Sequence, residues 1–99
     1  MAACMTASEV DARLASREFP GWSVVDGKLH KEFVFADFVH AFGFMATAAI
    51  AIEKMNHHPE WRNVYNRVTV DLTTHDAGGI TDKDFALASL LDSLSSKLQ

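Results

Sequence analysis

Apolar residues in this chain recur with two different periods, and each change of period marks an element. Thr6-Ala7-Ser8-Glu9 has the form of a capping box, in which a hydroxyl accepts from the amide three residues on and a carboxylate reaches back. Val10 and Leu14 then give a short helix an apolar face to about Ser16, and Pro20-Gly21 ends it. Trp22 to Val25 is short and β-prone. Asp26-Gly27 follows, a hairpin signal because Gly tolerates the positive φ that a type I′ turn needs. From Lys28 to Phe35, Leu29, Phe33 and Phe35 share one face, and Lys31 breaks it.

The period then lengthens. Asp37 is an N-cap, and Phe38, Phe42, Met45, Ala49, Ile52 and Asn56 mark one stripe of a helix. Pro59 disfavours helical geometry at His58 and stops the helix there. Trp61 to Tyr65 is strand-like, with a tight turn expected at Asn66-Arg67. Val68, Val70 and Leu72 alternate with polar residues, the pattern of a half-buried strand. Asp76 to Gly79 is expected as a loop. Thr81-Asp82-Lys83-Asp84 repeats the capping box, and Leu87, Leu91, Leu94 and Leu98 give a closing helix its seam.

The predicted order is α-β-β-α-β-β-α. Tight turns make antiparallel pairs, so the fold class is α+β: a four-stranded antiparallel sheet with three helices on one face. Ninety-nine residues make a single domain, 1–99. The formal net charge of −4 argues against direct nucleic-acid binding, which calls for a basic face. Cys4 is the only cysteine, so no disulfide framework is expected. The N-terminus lacks the pattern of a signal peptide. The longest apolar stretch, around Phe42 to Ile52, is expected to be too short to span a membrane. These features predict a cytoplasmic protein.

Chemistry concentrates in the histidines. His57 and His58 sit where a helix ends, and His75 follows the next strand. Imidazole titrates nearest neutrality, so this placement suggests proton transfer. Glu53 is four residues before His57, on the same helix face if the helix persists, where its carboxylate could orient the ring. With no His-x-x-x-His and no Cys-x-x-Cys, no metal is expected. Cys4 is terminal, no serine occupies a nucleophile elbow, and Gly78-Gly79 is too short for a phosphate loop. His30 and His40 are expected to face solvent. Asp84 is most simply a helix cap. The residues alone lead to a histidine-lined pocket with acid/base chemistry.

The run Glu53-Lys54-Met55-Asn56-His57-His58-Pro59-Glu60-Trp61, then Asn63-Val64-Tyr65-Asn66, Thr74-His75-Asp76 and Asp84, resembles the signature of the pterin-4a-carbinolamine dehydratase family. Phe42-Gly43-Phe44-Met45 is similar to that family's central helix, and the likeness runs from about Trp22 to Leu91. It implies removal of water from a 4a-hydroxytetrahydropterin to give the quinonoid dihydropterin, in tetrahydrobiopterin recycling, with no cofactor and no metal. It implies His57 and His75 as acid and base and His58 as the residue that binds and places the substrate. Glu53 would fix a histidine, Trp61 would line the pocket, and Asp84 would support His75 or the pterin. Asn56 and the backbone of Thr73, Thr74, His75 and Asp76 would complete the cradle. Asn56 stands where several members carry Asp, and Ala77 where some carry Cys. The resemblance further implies a homodimer or homotetramer and, for an animal protein, a transcription-factor partner. A non-enzymatic scaffold or assembly factor on the same fold is the alternative it leaves open.

Overall fold

The computed structural model describes residues 3–99, and their helices and strands follow the predicted order. They are α1 (Ala7–Leu14), β1 (Ser23–Val25), β2 (Lys28–Val34), α2 (Phe38–Met55), β3 (Glu60–Val64), β4 (Arg67–Leu72) and α3 (Asp82–Leu98), with a 3-10 turn at His75–Ala77. The four strands form one antiparallel sheet in the order β1-β2-β4-β3. The two long hydrophobic strands are therefore central, and the short strand β1 lies at an edge.

Local chemistry explains the element boundaries. Both capping boxes form: Thr6 with Glu9 opens α1, and Thr81 with Asp84 opens α3. Asp37 caps α2 by accepting from the His40 amide. Asp26 and Gly27 turn the first hairpin with φ of 52° and 76°. The second hairpin turns one residue earlier than expected. Val64 pairs with Arg67, so the loop is Tyr65-Asn66 rather than Asn66-Arg67. Tyr65 has φ 51°, and the Asn63 side chain holds it there by donating to the carbonyls of Tyr65 and Arg67. The expected loop at Asp76–Gly79 contains a 3-10 turn, closed by paired backbone bonds between Thr74 and Gly79.

Alternation along β2 and β4 puts Leu29, Phe33, Val68, Val70 and Leu72 against the helices, all essentially without exposed surface. Phe44 and Phe85 fill the space above them. Truncating Phe44 to alanine would cost about 3–5 kcal/mol, a large share of a domain stability of about 5–15 kcal/mol. The inward stripe of α2 is Ala41, Phe44, Ala48 and Ile52. This corrects the expected stripe: of its members only Ile52 is buried, while Phe38 and Phe42 are about half exposed. Because α2 is apolar almost all round, period alone could not select its buried side. With 18 residues and mean hydropathy 1.3, α2 also has the length and composition of a membrane-crossing helix, contrary to expectation. Its inward stripe is nevertheless part of the core.

Lys31, the break in the β2 pattern, shares the inward face with Leu29 and Phe33 and reaches Asp92 of α3 at 2.7 Å and the Pro20 carbonyl at 2.8 Å. Asp92 also accepts from the Trp22 indole, at 3.0 and 3.1 Å. The ammonium lies 4.9 Å from the Phe33 ring centroid. The charge at this inward position is thus paired at the margin of the core, with its stem on aromatic surface.

Candidate active site

Helix α2 ends at Asn56, which adopts the left-handed conformation (φ 53°) and directs its amide to the carbonyls of Glu53 and Ile52. This reversal sends the two following histidines to different partners. His57 turns inward, where its Nε2 lies 2.6 Å from Oδ1 of Asp84. Its side chain is 11% exposed, and that of Asp84 is fully buried. His58 stays exposed and pairs with Glu53 at 2.9 Å. Glu53 therefore orients His58, which corrects its expected pairing with His57: the helix does not persist to residue 57, so the i,i+4 geometry is lost.

Asp84 holds its own position through the first turn of α3. Its Oδ2 accepts from the Thr81 amide at 2.9 Å and from the Thr74 hydroxyl at 2.8 Å. The helix N-terminus adds a favourable field for the carboxylate. One side chain thus caps α3 and orients an imidazole. The resemblance implied that Asp84 would support His75 or the pterin; the imidazole it contacts is that of His57.

His75 begins the 3-10 turn, and its side chain is 78% exposed. Its Nε2 lies 3.5 Å from Oε2 of Glu60, whose other oxygen is 2.7 Å from the Lys28 ammonium. The hydrogen bond from Lys28 is the largest influence holding the Glu60 carboxyl below its ordinary value, with the charges of Lys28 and His75 adding to it. The same bond raises Lys28 above its own ordinary value.

These groups meet around a hollow of about 290 Å³, lined by Asn56, His57, His58, Thr73, Thr74, His75, Asp76 and Lys83. That is near the lower end for small-ligand sites, about 300–1,000 Å³. All three histidines singled out from the sequence are in its lining. Asp84 stands behind it through His57, and Glu53 beside it through His58. Trp61 is not in the lining: it pairs with Val70 and packs against the core from β3. Lys83 was not anticipated. It reaches the lining from the first turn of α3, which opens at Thr81 beside the 3-10 turn, whereas Asp82 of the same turn points to Arg13 of α1. Other hollows of similar or larger size lie beside Cys4 and Ile80, at the outer sheet face by His30 and Asp71, and between α2 and α3, and none of these three has paired imidazoles in its lining. Among the described residues no group of three or more His, Cys, Asp or Glu side chains could hold a metal ion.

The sequence profile of the family described as pterin 4 alpha carbinolamine dehydratase matches residues 3–94. A protein of Solibacter usitatus (strain Ellin6076) is 66% identical over 88 residues, covering 89% of this chain and 93% of the relative. One of Rhodopseudomonas palustris (strain BisB18) is 50% identical over 93 residues, covering 92% of each. Both carry the name "Putative pterin-4-alpha-carbinolamine dehydratase". A crystal structure described as a transcriptional coactivator/pterin dehydratase from Brucella melitensis superposes with TM-score 0.86 at 45% identity, covering 93% of this chain and 98% of that one. A pterin dehydratase-like protein identified as a RuBisCO assembly factor in the alpha-carboxysome shares the fold, at TM-score 0.66 and 21% identity over 80% of this chain and 94% of that one.

Proposed function

The chain belongs to the pterin 4 alpha carbinolamine dehydratase family, and from that premise we propose that it dehydrates a 4a-hydroxytetrahydropterin. The observation that carries the reading is the convergence of His57, His58 and His75 on one hollow. The reaction breaks the bond between C4a and the hydroxyl oxygen, which leaves as water with one added proton. The neighbouring ring N–H gives up a proton, and a C=N bond forms in the quinonoid dihydropterin. One acid and one base are therefore needed and no electrons are exchanged, so two imidazoles near neutral pH suffice. We assign these roles to His57 and His75.

His58, held by Glu53, places the substrate. The backbone of Thr73 to Asp76 and the Asn56 segment cradle it, and Lys83 stands at the rim. Asp84 acts through His57. Trp61 contributes by fixing β3 beside the site. The product suits recycling of tetrahydrobiopterin, and the single cysteine suits a cytoplasmic setting.

Self-association is part of the same proposal. Phe38, Val39, Phe42 and Ile50 leave an apolar strip on the outward side of α2, 48–75% exposed. Such a strip marks an interaction surface. We propose that further copies of the chain cover it, as a homodimer or homotetramer. A scaffold or assembly role could use this strip, yet would not require three imidazoles around a hollow.

A ligand titration tests the site. A stable dihydropterin is added while the imidazole signals of all five histidines are followed by NMR. His57, His58 and His75 should shift together, while His30 and His40 stay in place. Movement of His30 alone, or of none, would refute the assignment.

A further inference from the structure

Two buried threonine hydroxyls beneath the site have a hydrogen-bond order that the structure fixes. The Thr74 and Thr81 hydroxyl oxygens are 2.7 Å apart, and Thr74 lies 2.8 Å from Oδ2 of Asp84. Both threonines are 8% exposed and Asp84 is not exposed at all. A carboxylate only accepts, so Thr74 spends its one proton on Asp84. Thr81 must then donate to Thr74, and its own oxygen accepts from the Lys83 amide at 3.2 Å. Every proton in the chain points toward Asp84, and the Thr81 amide adds another donor to the same oxygen. The carboxylate cannot turn without losing one of these bonds.

Its remaining oxygen faces Nε2 of His57 at 2.6 Å. Facing an acceptor, Nε2 must carry the hydrogen. Nδ1 has no hydrogen-bond partner among the described residues and is the nitrogen left for the hollow. We propose that Thr74 and Thr81 are positioning residues that, acting through Asp84, lock His57 in its Nε2–H tautomer and make Nδ1 the atom that exchanges a proton. The proton-exchange role rests on the dehydratase reading; the tautomer does not.

The test is long-range proton–nitrogen NMR on the full chain without ligand, with His57 assigned by the His57→Gln variant. The neutral ring should carry its hydrogen on Nε2. Thr74→Val removes the donor at nearly constant volume. It should bring in the other tautomer and lower kcat about tenfold, a fraction of the 10²–10⁴ that an acid/base group supplies, with KM little changed. Thr74→Ser should restore both readouts. Should Thr74→Val not fold, Thr74→Cys weakens the donor at similar size and is expected to act in the same direction. A hydrogen on Nδ1 in the unaltered protein, or a tautomer indifferent to loss of the Thr74 donor, overturns the proposal. Because the tautomer is read without substrate, a chain with this tautomer and this Thr74 dependence but no turnover supports the relay and refutes the proposed reaction instead.

Discussion

His57 and Asp84, 27 residues apart in the chain, are joined by a 2.6 Å contact between an imidazole and a carboxylate with no exposed surface. Asp84 is at once the third residue of a capping box and the partner of the ring, so its substitutions should separate two effects. Asp84→Asn keeps the shape and should lower kcat by about 10²-fold or more, with modest loss of stability. Asp84→Ala should in addition lose the cap, worth about 1 kcal/mol, and leave buried donors unpaired at about 1–3 kcal/mol each. Urea melts of the two variants beside their turnover rates check this. Equal stability with equal activity in both would contradict the double role.

The Lys31–Asp92 pair should behave asymmetrically. Removing Asp92 alone strands the Trp22 indole and one bond of the Lys31 ammonium, at about 1–3 kcal/mol. Replacing Lys31 by Met and Asp92 by Leu together should cost less than Asp92→Ala alone, because partly buried ion pairs offset little more than their own desolvation. A double-mutant cycle by chemical denaturation decides it.

Glu60 and Lys28 set a pH window. The Glu60 carboxyl titrates below its ordinary 4.5 in the folded chain, so its contribution is present above that value and is lost as the pH falls through the folded value. Lys28 titrates above its ordinary 10.5, so its share is complete below that value and is lost as the pH rises through the folded one. The stability deficit of Glu60→Gln should therefore shrink below pH 4.5 and above pH 10.5. Urea midpoints across the range measure it. A deficit that grows toward acid would contradict the pairing.

The outward strip of α2 gives a prediction about mass. Sedimentation of the unaltered chain at micromolar concentration should show a homo-oligomer, and Phe42→Asp should shift it toward the monomer while leaving the secondary structure intact. A monomer for the unaltered chain would contradict the proposed self-association.

What the sequence disclosed depended on how local each cause was. Both capping boxes, the Asp26-Gly27 turn and the alternation of β4 rest on neighbours within four residues, and they were legible. The inward side of α2 was not, because Phe38, Phe42, Phe44 and Met45 offer apolar surface in several directions. The break at Lys31 could be seen, but not its partner Asp92, 61 residues away. At the site the three histidines could be named in advance. Their partners could not: the left-handed turn at Asn56 hands Glu53 to His58 and leaves His57 for Asp84. Helix capping accounts for the whole motif around Lys83 and so hides its place at the hollow.

The most direct measurement is turnover of a freshly generated 4a-hydroxytetrahydropterin, followed by the absorbance of the quinonoid product. The unaltered chain should accelerate dehydration well above buffer. His57→Ala and His75→Ala should each lose about 10²–10⁴ of that acceleration, while His40→Ala keeps it. A rate equal to buffer for the unaltered chain, or one that survives both histidine replacements, would contradict the account.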